Sequence, residues 1–65
     1  MLELEQATLR QQFQDLLQRQ RQAAQTYQRL AEVAADPTVR EQAMEIQRDK
    51  LKHIRLTERL LEIVD

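Results

Sequence analysis

Few side chains in this sequence could carry chemistry. His53 is the sole histidine, and Asp49 precedes it by one helical turn, so the pair could face one metal ion. Asp49 points to the flank of the apolar stripe described below, which favours a packed or hydrogen-bonded histidine over a ligand. Lys50 precedes His53 by three residues and falls among leucines and isoleucines. A lysine there needs a partner or a path to water. Gln20 interrupts an apolar run in the same way. Tyr27 and Phe13 are the only aromatics, and both suit a core, with the Tyr27 hydroxyl seeking a polar partner. No Ser-His-Asp or Cys-His set and no glycine-rich phosphate loop is present, so nucleophilic catalysis and nucleotide binding have no residues to run on. No cofactor is expected.

Two helices must position these residues. The sequence has no glycine and one proline, at Ala35-Asp36-Pro37-Thr38. Proline cannot donate a helical hydrogen bond and biases its predecessor away from helical geometry. Asp36 can cap a new helix with Pro37 at its first position. The pattern predicts a first helix over about 4–35, a turn at 35–38 and a second helix over about 38–63. Strong helix formers fill the first. Leu2, Leu9, Leu16, Ala23 and Leu30 recur on one heptad seam, alternating with Gln6, Phe13, Gln20, Tyr27 and Ala34. Leu17, Ala24 and Ala31 widen the stripe. Gln11, Gln14, Gln18, Arg21, Gln25 and Gln28 read as a solvated opposite face. In the second helix Val39, Ala43, Ile46, Ile54, Leu60, Leu61 and Val64 gather on one side. Met44, Leu51, Leu56 and Ile63 broaden that arc, which predicts contact with more than one neighbour.

Counting from the turn places Gln20 and Lys50 at one level, near the midpoint of both helices, with Thr57 and His53 close by. The expectation is a polar layer in mid-bundle, either fixing register, as polar seam residues do in coiled coils, or forming a site.

The composition narrows the classes. Sixty-five residues make one small unit, and such chains need staples or partners. There is no cysteine to supply a disulfide or a thiolate metal site. Charged residues are 32% of the chain, yet the net charge is −1, which gives no electrostatic pull towards nucleic acid or an anionic membrane. No apolar run could span a bilayer. Met1-Leu2-Glu3-Leu4-Glu5 lacks the basic start and apolar core of a secretory signal, so a cytoplasmic location is expected.

Gln20-Arg21-Gln22-Ala23-Ala24-Gln25-Thr26-Tyr27, followed after the turn by Lys50-Leu51-Lys52-His53, resembles the rubrerythrin-like branch of the ferritin-like superfamily. That family's half-bundle carries a Glu about seven residues before a Tyr, then Glu-x-x-His on the next helix. The resemblance spans roughly Leu16 to Leu61. Tyr27, Ala31 and His53 keep the family's spacing, but Gln20 and Lys50 stand where it has carboxylates. Ferritin-like bundles need those carboxylates to hold two metals. The resemblance therefore implies the fold and argues against the activity.

The expected protein is all-α: an antiparallel two-helix hairpin that dimerises into a ferritin-like four-helix bundle. Its dimer core is expected from Leu9, Phe13, Leu16, Gln20, Tyr27, Ile46, Lys50, His53, Ile54 and Leu60. The expected role is a non-enzymatic structural or protein-interaction module, working as a homodimer with room for an unidentified protein partner. One alternative is a metal-binding or iron-handling bundle using His53 with Asp49 or surface carboxylates. Another is an RNA-binding bundle, since the size and layout resemble the plasmid copy-control protein Rop. The charge balance speaks against nucleic acid, which normally meets a basic face.

Overall fold

A computed structural model describes residues 2–64 of the chain; Met1, Asp65 and the side chain of Leu2 lie outside the described residues. Two helices account for nearly all of it, α1 over Leu2–Val33 and α2 over Pro37–Val64. They pack against each other as a hairpin, a rod of 53 × 14 × 10 Å. There is no strand among the described residues. No described helix is long and apolar enough to cross a membrane.

The turn is built by Asp36. Its Oδ1 accepts from the backbone N–H of Thr38 at 2.9 Å, and its carbonyl accepts from the N–H of Arg40 at 3.0 Å. Pro37 is the first helical residue, where its missing N–H costs nothing. The cap thus satisfies one of the orphan donors that every helix start leaves.

α1 ends at Val33, two residues earlier than the sequence pattern suggests. Its last backbone bond runs from the Ala34 N–H to the Leu30 carbonyl, 2.9 Å. Many helices close with a left-handed residue, usually glycine. Here the backbone has no positive φ, and another device takes over. Arg40 of α2 reaches back and donates from Nη2 to the Ala34 carbonyl, 2.9 Å. The last turn of α1 carries no basic residue of its own. Arg40 therefore brings the cation that the negative end of the helix dipole favours, and it ties the two helices together at the turn.

Asp36→Ala is expected to cost about 1 kcal/mol through the lost cap. Arg40→Ala is expected to cost about 0.5–1.5 kcal/mol through the lost bond. Urea melts at one fixed protein concentration check both. No change in either variant would mean that packing alone sets the turn.

The core is thin. Leu17, Ala24 and Ile54 form one buried cluster, with Leu61 packed against it. Ala43 is buried nearer the turn at 2% exposure, where a small side chain lets the helices approach. Among the described residues no large side chain is fully enclosed. One stripe per helix is all that a hairpin can cover.

Candidate functional site

Ile54 clusters with Leu17 and Ala24, which lie on either side of Gln20 along α1. The level of Gln20 on α2 is therefore that of Ile54. Lys50 sits one turn closer to the loop, about 6 Å along the axis. The expectation that Gln20 and Lys50 share a level is corrected accordingly. Side chains tilt towards the N-terminus of their own helix. In an antiparallel pair that means away from the turn on α1 and towards it on α2, so meeting residues lie farther along α2 than counting from the turn implies.

The partner of Gln20 is Thr57. The hydroxyl of Thr57 donates to Gln20 Oε1 at 2.9 Å, and also lies 3.0 Å from the carbonyl of His53, one turn back on its own helix. One proton serves two acceptors, so the hydroxyl is shared between a helix-internal bond and the only side-chain hydrogen bond that joins the two helices at mid-rod among the described residues. Thr57 is 3% exposed, the one buried polar residue among those described. Sequence reasoning placed Thr57 in the arc but did not pair it with Gln20. The available signal was that a threonine inside an apolar arc must bond somewhere.

Lys50 is half-buried and, among the described residues, makes no hydrogen bond or ion pair. His53 and Asp49 are exposed. Tyr27 and Phe13 are half-buried, on the stripe where the pattern put them. Among the described residues no three of His, Cys, Asp or Glu come together as a metal-holding group. With Gln20 neutral and Lys50 cationic, the donor set does not fit a di-metal centre of the ferritin-like kind.

The most developed feature is a face rather than a pocket. Arg21 Nη2 and Glu58 Oε2, 3.6 Å apart, bridge the helices on one side of the hairpin. Both side chains are about half exposed, so the pair is worth little to stability, but it marks that side. Stepping about 100° per residue from these two puts Leu9, Leu16, Ala23 and Leu30 of α1 on the opposite side. The same stepping puts Ile46, His53 and Leu60 of α2 on that opposite side too. The two heptad rows thus lie next to each other on one face. Its leucines remain substantially open: Leu9, Leu16 and Leu30 are 40%, 41% and 39% exposed. Met44 and Leu51 lie on the Arg21–Glu58 side, where α1 offers Gln14, Arg21 and Gln28. The broad arc of α2 is thus divided between two faces.

No protein-family model, no curated protein and no solved structure matches the chain.

Proposed function

We propose that this chain is a non-enzymatic helical hairpin, a structural or protein-interaction module that works by pairing with a second copy into a four-helix bundle of ferritin-like layout. The observation that carries the reading is surface area. The hairpin exposes 5342 Å², whereas a compact monomer of 7.8 kDa exposes roughly 4,400 Å². Its radius of gyration is 15.3 Å, against about 11 Å for a compact 65-residue domain. A surplus of roughly 900 Å² per copy matches what each partner buries in an interface of standard size. Part of the exposed apolar surface, Leu9, Leu16, Leu30 and Ile46, lies along one face, and hiding such a face is what drives hairpins into bundles. The spacing of Tyr27, Ala31 and His53 supports the ferritin-like layout.

Sedimentation over a range of concentrations tests the reading. A dimer is expected at micromolar protein, with a melting temperature that rises with concentration. A folded monomer under those conditions overturns it. Calorimetric titration with Co(II) tests the absence of a metal role: no stoichiometric binding is expected, because two lysines and two neutral amides near mid-bundle do not hold a divalent ion. Tight binding at one ion per hairpin would reinstate an iron-handling bundle.

A further inference from the structure

We propose that the second copy docks on the face opposite the Arg21–Glu58 bridge, with its turn at the other end of the rod and the two-fold axis passing at His53. The proposal rests on the self-association reading above and names its surface and orientation.

The choice of face follows from what each side of the hairpin exposes. On the bridged side only Met44 and Leu51 are apolar, and they border Gln14, Arg21 and Gln28. On the other side both helices contribute apolar heptad rows. An isologous dimer needs one patch that complements itself, and only this side offers apolar residues along the length of both helices. Covering it on two copies removes roughly 1,800 Å² in total, within the range of stable specific pairs.

The apolar row of α2 selects the orientation. With turns at opposite ends, α2 lies antiparallel on its copy and the row meets itself. With turns at the same end, α2 lies on α1 of the partner and the row does not meet itself.

The position of the axis follows from the apolar row. Ile46 and Leu60 are equidistant from His53 along α2. An axis at His53 seats Ile46 on the partner's Leu60 and repeats that contact by symmetry. It also falls near the middle of the rod, where the neighbouring α1 position is the small Ala23. The two imidazoles then approach each other at the axis, although His53 is exposed in the single hairpin.

The chain has no cysteine, so one introduced thiol reports its own surroundings. In His53→Cys the two thiols face each other across the axis, close enough for the short Cα separation that a disulfide requires. In Met44→Cys they lie on opposite outer surfaces of the dimer. With dissolved oxygen as oxidant, full conversion of His53→Cys to a covalent dimer is expected, and none of Met44→Cys. If the natural chain sediments as a dimer while Met44→Cys cross-links instead, or neither does, the face or orientation is wrong and self-association stands. If the natural chain is a folded monomer, both fall.

Discussion

Ile54→Ala is expected to remove cooperative folding of the hairpin at room temperature, or to lower its stability by about 2–5 kcal/mol where a transition survives. Ile54 is 9% exposed and belongs to a cluster of only three buried side chains. It is the α2 member that joins Leu17 to Ala24, so its removal leaves a gap that two rigid helices cannot close. A larger domain would absorb such a loss, but a chain of this size has little stability to spare. Circular dichroism in urea at fixed concentration provides the measurement. The paired control is Leu51→Ala, at 40% exposure on the bridged face, which is expected to cost less than about 1 kcal/mol. Equal losses in the two variants would show that the helix interface is not where the described cluster puts it.

Leu16→Glu is expected to abolish the dimer while sparing the internal contacts of the hairpin. Leu16 is 41% exposed in the single chain, so a glutamate there stays hydrated as long as the hairpin is alone. In the dimer the same position is covered on both copies, and two unpaired carboxylates lose water. The expected penalty exceeds about 100-fold in association, because each buried unpaired charge costs several kcal/mol. The readout is concentration dependence: the natural chain is expected to gain helix content and melting temperature as it is concentrated, and the variant is not. Met44→Glu, on the other face, is expected to keep that dependence. Loss of it in Met44→Glu alone would move the interface to the bridged side.

Much of the fold could be read from the sequence because its determinants are local. Asp36 and Pro37 are adjacent, their chemistry admits one arrangement, and the 2.9 Å bond from the Thr38 N–H is that arrangement. Heptad spacing likewise identified Leu17 and Ala24 as inward residues. The misreadings arose where two helices meet. Gln20 was rightly placed inside, but its partner depends on how far one helix slides along the other. That slide is set by Ile54 seating with Leu17 and Ala24, which counting from a turn cannot capture. The role of Arg40 was equally out of reach. Its bond to the Ala34 carbonyl requires knowing that α1 ends without a left-handed residue. The candidate site was the least legible part. Residue types can show that a metal centre lacks its carboxylates, but they cannot show that Leu9, Leu16 and Leu30 stay about 40% exposed in the folded hairpin.

The three-residue turn has a mechanical consequence. Residues 2 and 64 both lie at the end of the hairpin away from the loop, and the rod itself is 53 Å long. In an antiparallel pair those ends sit at the two extremes of one stiff bar. Whatever is joined to one copy is then held a fixed rod-length from whatever is joined to the other. Such a pair would be a spacer whose length is written in the number of helical residues, and each added heptad would lengthen it by about 10 Å.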